Sequence, residues 1–336
     1  MIGSKRLGVL DVGSNTVHLL VVDAHRGARP TPMTSEKTEL RLAERIDAAG
    51  RLTGEGAAAL VDTIARAAAQ AADAGCIEVL AFATSALRDA TNSAAVTARV
   101  RSETGVTLRL LPGEDEARYT FLAARRWCGW SAGRLLVLDI GGGSLELAAG
   151  DDEHPDVAVS VPLGAGRTTR DWFRADPPER SEVTALEAHA DAVLAPVARQ
   201  LRGGGAPDLS VGTSKTFRSL ARLTGGRPVL TAAELGQLLA FVTRMSSRDL
   251  AELKGVSPGR AHQLVAGAIV ARAAMRALRV PQLELCPWAL REGIIFRRLD
   301  VLDGHAFEPD DSDEPHARRA GSTGRTPGPG AAQRSA

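Results

Sequence analysis

Two short segments carry the residue types that bind phosphate and divalent metal. The stretch Leu7-Gly-Val-Leu-Asp-Val-Gly-Ser-Asn-Thr-Val-His-Leu19 superposes on Leu135-Leu-Val-Leu-Asp-Ile-Gly-Gly-Gly-Ser-Leu-Glu-Leu147 at a constant offset of 128 residues. Leu7/Leu135, Val9/Val137, Leu10/Leu138, Asp11/Asp139, Gly13/Gly141 and Leu19/Leu147 are identical, and Val12/Ile140 and Thr16/Ser144 are close. Each copy reads as a buried strand, an aspartate at its end, a glycine-containing turn with hydroxyls and a returning strand: a β-hairpin with a polar tip. Glycine is expected there for close approach and positive φ, so that the N–H groups of Gly13, Ser14, Asn15 and Thr16, and of Gly141, Gly142, Gly143 and Ser144, meet phosphate oxygens. Asp11 and Asp139 are candidate ligands of a divalent cation, directly or through water. Either tip alone reads as an ordinary tight turn. The pair, which keeps both aspartate and hydroxyl, favours a ligand.

Two such tips need two halves facing each other, and the chain between them alternates helix and strand. Residues 55–74 form an Ala-rich helix stopped by Gly75, 77–84 a short strand, 93–104 a helix ending at Gly105, and 106–111 a strand. A helix follows over 114–127, then a strand over 134–139. Further on, 208–211 reads as a strand entering Gly212-Thr213-Ser214-Lys215-Thr216, with a helix to Leu223 and helical periodicity again over 232–245 and 260–278. This spacing implies an α/β fold. The expected division is an N-terminal domain over 1–126, a second over 127–302, and a disordered tail over 303–336, where acidic residues give way to Gly, Pro, Ser, Arg and Ala.

Composition removes several function classes. Lys and Arg total 41 against 40 Asp and Glu, and aromatics make up 4% of the 336 residues, so neither a basic surface nor base-stacking platforms point to nucleic acid. Cys76, Cys128 and Cys286 share no metal or disulfide spacing, which fits a reducing compartment. Asp11, Ser14, Asn15 and His18 interrupt the apolar stretch after Lys5-Arg6 before a signal peptide can form, and no membrane span is expected. The expected location is cytoplasmic. Gly-x-Ser-x-Gly occurs at Gly129-Trp-Ser-Ala-Gly133 and Gly255-Val-Ser-Pro-Gly259, but one follows a helix and leads into a strand and the other lies between two helical stretches, so neither is the strand-to-helix elbow of a serine hydrolase; no Walker A loop occurs. His18 and His262 read as core or near-core residues, and Trp127, Trp130, Trp172 and Trp288 as isolated anchors.

Five ordered strings sharpen this reading: Asp11-Val-Gly-Ser-Asn-Thr16, Ala83-Thr-Ser-Ala-Leu-Arg88, Gly113-Glu-Asp-Glu-Ala-Arg118, Asp139-Ile-Gly-Gly-Gly-Ser-Leu-Glu146 and Ala289-Leu-Arg-Glu-Gly293. The paired tips resemble the actin, Hsp70 and sugar-kinase superfold, with two ribonuclease-H-like domains around a cleft. The full set resembles the exopolyphosphatase and guanosine pentaphosphate phosphatase family over roughly residues 6–300, in a short two-domain form of actinobacterial type. The resemblance implies hydrolysis of terminal orthophosphate from inorganic polyphosphate, with short chains expected, or of guanosine pentaphosphate. It also implies magnesium or manganese, a monovalent cation, a link to the stringent response and a homodimer.

The same resemblance assigns roles. Glu116, immediately before the Ala-Arg pair, stands where the family has its catalytic base; the plainer reading of Glu114-Asp115-Glu116 is an acidic helix start favoured by the macrodipole. Asp139 and Glu146 stand at the magnesium positions, while His18 occupies the place of Glu146 in the first half. Arg88 is implied as a phosphate contact, with a solvated helix-start arginine as the alternative. Lys215, at a strand-to-helix turn, is a candidate phosphate ligand. Arg118, Arg291 and Glu292 are expected in ion pairs or packing. A sugar- or acetate-type kinase and a nucleotide-switched ATPase remain alternatives: the first needs an acceptor pocket, the second slow turnover.

Overall fold

The computed structural model describes residues 4–25 and 27–304. In β1 (Lys5–Val12) side chains alternate between two buried faces, Leu7 and Val9 on one, Leu10 and Val12 on the other. β6 (Leu135–Ile140) repeats this, with Leu135 and Val137 opposed to Leu136, Leu138 and Ile140. The period of two therefore puts Asp11 on the face of Leu7 and Val9, and Asp139 on the face of Leu135 and Val137.

β1 pairs antiparallel with β2 (Thr16–Ala24), and β2 with β3 (Pro32–Glu39). β4 (Glu78–Ala83) and the two-residue β5 (Arg109–Leu110) add in parallel, giving the order β3-β2-β1-β4-β5. The second sheet adds β7 (Leu145–Gly150), β8 (Val157–Val161), β9 (Leu209–Thr213), β10 (Val229–Thr231) and β11 (Gln282–Leu285) to β6, in the order β10-β11-β9-β6-β7-β8. Without its edge strand β10, it reads β8-β7-β6-β9-β11, with the strand order and directions of the first sheet. The duplication in the sequence is thus a duplication of topology, and the fold is the expected α/β pair.

Outer helices cover one face of each sheet. On the first, α1 (Gly54–Asp73) and α3 (Ser93–Thr104) insert Leu60, Ile64, Val96 and Val100, while α2 (Ser85–Arg88) is the single turn after β4. The inner faces are covered by α4 (Gly113–Cys128) and by the last helix. On the second sheet lie α5 (Ala165–Trp172), α6 (Arg180–Arg202), α7 (Ser214–Leu223), α8 (Ala232–Val242), α9 (Ser247–Ala251) and α10 (Leu264–Leu278), the last buried almost all round. α11 (Leu290–Leu302) closes the described chain.

The inner helices cross over. α4 packs Ala117, Phe121 and Ala124 on the second sheet, and α11 packs Ile295 and Leu299 on the first. A cut at 126/127 follows chain order, whereas the packing exchanges one helix in each direction. α4 and α11 also touch each other so closely that a Cβ at Gly293 would overlap the carbonyl oxygen of Tyr119, which explains the glycine of the fifth string. Trp127, Trp288 and Phe296 stack along this seam with ring centroids 5.1 Å apart, so Trp127 and Trp288 are not the isolated anchors expected.

Other differences have local causes. The strand expected over 106–111 pairs only at Arg109–Leu110, and the helix expected over 260–278 divides into a 3₁₀ turn, Pro258–Gln263, and α10. β3 is exposed along most of its length and so gives no apolar pattern, while α6 buries Leu186, Ala190, Leu194, Val197 and Leu201 at helical spacing but contains Pro196, which locally reads against a helix. The tail expected over 303–336 lies outside the described residues except for Asp303 and Gly304, and Asp303 accepts a bond from Lys5 Nζ at 3.1 Å. Among the described residues no helix is long and apolar enough to cross a membrane, and the three cysteines are free.

Candidate active site

The two hairpin tips meet. A Cβ on Gly142 would lie 2.8 Å from Ser14 Cβ, and one on Gly143 would overlap Ser85 Oγ. Ser14 and Ser85 share a hydroxyl bond of 3.1 Å, and Asn15 exchanges amide bonds of 3.1 and 3.3 Å with Gln263 from the other half. None of Gly13, Gly141, Gly142 and Gly143 has a positive φ. This corrects the expected left-handed turns: Gly142 and Gly143 serve close approach, whereas a Cβ on Gly13 or Gly141 would make ordinary contacts.

Between the tips lies a cleft of about 220 Å³. Of the residues singled out in the sequence, Asp11, Gly13, Ser14, Asn15, Thr16, Glu116, Asp139, Gly141, Gly142, Ser144, Glu146 and Lys215 line it. Two do not. Gly143 is packed behind the tip against Ser85 and Gly164. Arg88 donates to Glu116 Oε1, to Asp89 at 3.0 Å and to the Leu111 carbonyl at 3.0 Å, so it holds Glu116 from the side rather than facing the cleft.

The acidic start of α4 splits. Glu114 and Asp115 pair with Arg118 at 3.2 and 2.9 Å on the surface, while Glu116 turns inward and is buried. Burial, and then the charge of Glu146, pushes the Glu116 carboxyl well above its ordinary value, with Arg88 opposing. Asp139 and Glu146 are register partners on β6 and β7, so both carboxyls stand on one face. Asp139 accepts from Thr213 Oγ1 at 3.2 Å and Glu146 from Ser160 Oγ at 2.9 Å. Burial holds the Asp139 proton to about pH 6 and raises Glu146 as well, the charge of Asp139 adding to it. Asp11 is likewise raised by burial, against the charge of Arg291.

Adjacent buried carboxyls remain raised in this way although Arg218 and Arg88 oppose the shifts of Asp139 and Glu146, and a divalent cation would supply the further positive charge. Among the described residues no three His, Cys, Asp or Glu side chains converge as ligands. Two carboxylates fit an ion that keeps several of its waters, as magnesium does. Asp139 and Glu146 would hold it.

Cations complete the lining: Lys37 of β3, Arg218 of α7 and Arg260 of the 3₁₀ turn, which no sequence string marks, and Arg291 of α11, which the fifth string contains. Together with burial they push the Lys215 ammonium down, burial being the larger cause and Arg260, Lys37 and Arg218 the charges. Arg218 was legible, since it lies three residues after Lys215 on one helix face. Lys37 and Arg260 come from segments remote in sequence, and no local pattern announces them. Ser214 enters the cleft with φ 74°, a left-handed conformation rare for serine and typical of functional turns. Arg291, expected in packing, faces the cleft; Glu292 stays structural, accepting from Ala289 N at 2.8 Å. His18 is buried as expected, but His262 is half-exposed beside Gln263 (3.1 Å) and Glu44 (3.8 Å), because the 3₁₀ turn lies at the seam between halves and not in a core.

Comparison with known proteins agrees with this geometry. The family model described as "Ppx/GppA phosphatase family" matches residues 20–302. Exopolyphosphatase 1 of Mycobacterium tuberculosis is 60% identical over 312 residues, covering 90% of this chain and 91% of that protein. Exopolyphosphatase 1 of Mycobacterium leprae is 57% identical, covering 90% and 92%. Two solved structures share the fold: an exopolyphosphatase from Cytophaga hutchinsonii, with TM-score 0.80 and 23% identity over 88% of this chain and 98% of that one, and the Aquifex aeolicus Ppx/GppA family member, with TM-score 0.76 and 24% identity over 90% and 99%. With its duplicated tips, inward-turned Glu116 and matching sequence over most of its length, the chain belongs to the Ppx/GppA phosphatase family.

Proposed function

We propose that this protein is an exopolyphosphatase that removes terminal orthophosphate from inorganic polyphosphate. The observation that carries the reading is the cleft itself, where five cations (Lys37, Lys215, Arg218, Arg260 and Arg291) and two backbone-rich tips surround a buried glutamate. Such a lining fits a polyanion whose terminal phosphoryl group is brought to Glu116. Water oxygen attacks the terminal phosphorus, its proton passes to Glu116, and the bridging P–O bond breaks with its electron pair retained by the shortened chain. Arg88 fixes the carboxylate and favours its charged form before attack. Magnesium, or manganese, held by Asp139 and Glu146, would neutralise charge on the phosphoryl oxygens.

Two features favour polyphosphate over guanosine pentaphosphate. No Phe, Tyr or Trp is among the described cleft-lining residues to stack a base, and the 60% identical relatives carry the name exopolyphosphatase. A cleft of about 220 Å³ suits the terminal phosphates of a chain. The free thiols fit a cytoplasmic location.

Phosphate release in magnesium from short polyphosphate, guanosine pentaphosphate and ATP, run in parallel for wild type and Glu116→Gln, tests the proposal. Polyphosphate is expected to be the best substrate, with a drop of about 10²-fold or more in the variant. Wild-type rates in Glu116→Gln would place the base elsewhere, and turnover of ATP alone would return the kinase and switch readings.

A further inference from the structure

The first hairpin has a histidine where the second has a metal-side carboxylate. In register, Asp11 faces His18 across β1 and β2 as Asp139 faces Glu146 across β6 and β7. His18 is 4% exposed. Its Nε2 lies 2.7 Å from Ser35 Oγ on β3, and its Nδ1 is hydrogen-bonded to Arg291 Nη1. A guanidinium has five donors and no acceptor, so Nδ1 must be the bare nitrogen. The proton then sits on Nε2 and is donated to Ser35, which fixes the neutral tautomer.

Arg291 stands in the first turn of α11, where the helix dipole disfavours a cation, so its placement there needs an outside partner. That partner carries no charge. Arg88 is paired with Glu116 and Asp89, and Arg118 with Glu114 and Asp115, so their charges are largely cancelled. Arg291 instead lines the cleft beside Asp11, fixed by an imidazole that leaves its charge intact. A carboxylate at position 18 would hold the same guanidinium while neutralising it. We propose that His18 is a positioning residue that aims Arg291, with its full positive charge, at the phosphate chain; this rests on the polyphosphatase reading above.

A double-mutant cycle on the full chain, with kcat and KM measured on short polyphosphate, tests this, together with thermal unfolding of each variant and the imidazole ¹⁵N shifts of His18. Arg291→Gln is expected to lower kcat/KM by about 10²-fold and His18→Leu by about 10-fold, the sizes that misplaced charge at a site produces. His18→Gln, whose amide oxygen can accept from Arg291, is expected to run faster than His18→Leu. In the Arg291→Gln background His18→Leu is expected to cost no more, because the pair acts as a unit. Full additivity, or less than a twofold effect of His18→Leu with unchanged melting temperature, would overturn the proposal, as would a His18 tautomer with its proton on Nδ1. Wild-type protein that shows the Nε2–H tautomer but fails to hydrolyse polyphosphate would overturn the functional reading and leave the His18–Arg291 coupling standing.

Discussion

The β1–β2 and β6–β7 hairpins share a backbone and divide the work. At the offset of 128, Ser14 and Asn15 correspond to Gly142 and Gly143, and His18 corresponds to Glu146. The first tip carries side chains, Ser14 bonded to Ser85 of its own half and Asn15 reaching Gln263 of the other, while the second gives up its side chains to make room for them. Deeper in the cleft the polarity reverses. The second hairpin sets two carboxylates side by side, fit for a cation, whereas the first replaces one of them with an imidazole that holds an arginine. Two tips facing each other cannot both fill the space between them, nor can both bind the same charge. Divergence at these three positions is what turns a duplicated turn into a site with a carboxylate side and a cationic side.

The most severe way to break the division is Glu146→Gln, which leaves shape and hydrogen bonding nearly intact and removes one carboxylate from the pair proposed to hold magnesium. Phosphate release from short polyphosphate is expected to fall about 10³-fold, or about 4 kcal/mol in activation free energy. A chelator should bring wild type to a similar rate. Titrating magnesium against initial rate separates the causes: the variant should need far more magnesium or fail to respond. A wild-type magnesium curve in Glu146→Gln would put the ion elsewhere.

A smaller effect should appear in stability. Burial holds the Asp139 proton to about pH 6 against an ordinary value of 3.8. Because the folded value is the higher one, this carboxyl favours the fold fully below about pH 4 and loses that contribution as pH rises through 6. The loss amounts to about 3 kcal/mol by pH 8. In chelator, Asp139→Asn should therefore gain on wild type by about that amount between pH 4 and pH 8 in denaturant titrations. Parallel curves for the two proteins would show that Asp139 carries no such strain.

How much of this was legible in the sequence follows from how local each feature is. The strands bearing Asp11 and Asp139 announce themselves because both faces are buried, so the apolar run is continuous and repeats. The inward turn of Glu116 was legible only through the family string, since its neighbours Glu114 and Asp115 look the same in sequence and differ only in pairing with Arg118. The resemblance implies a phosphate contact for Arg88; its grip on Glu116 depends on the crossing of α4, which no short pattern encodes. Lys37, Arg260 and Arg291 reach the cleft from three remote segments, and His18 looked like a core histidine because its partner lies 273 residues away. Chemistry carried by one hairpin is readable; chemistry assembled between halves is not.

The least drastic test addresses the interlock of the tips. Gly13 and Gly141 occupy equivalent positions, and a Cβ on either would meet a carbonyl oxygen of its own turn at 3.4 Å and a carboxylate oxygen, of Asp11 or Glu146, at 3.9 Å, both ordinary contacts, so Gly13→Ala should be nearly neutral in stability. Gly143 differs, because its Cβ would overlap Ser85 Oγ and lie 3.4 Å from Ser14 Oγ across the seam. Neither glycine has a positive φ, so contact alone decides the outcome. Gly143→Ala should push the halves apart at the cost of about 2 kcal/mol, the scale of a modest overpacking, with a matching loss of activity. Ser85→Gly in the same chain removes the obstructing side chain and should restore part of both. Equal stability of Gly13→Ala and Gly143→Ala in thermal melts would mean that the tips stand further apart in solution, and that the second hairpin is glycine-rich for its ligand rather than for its partner.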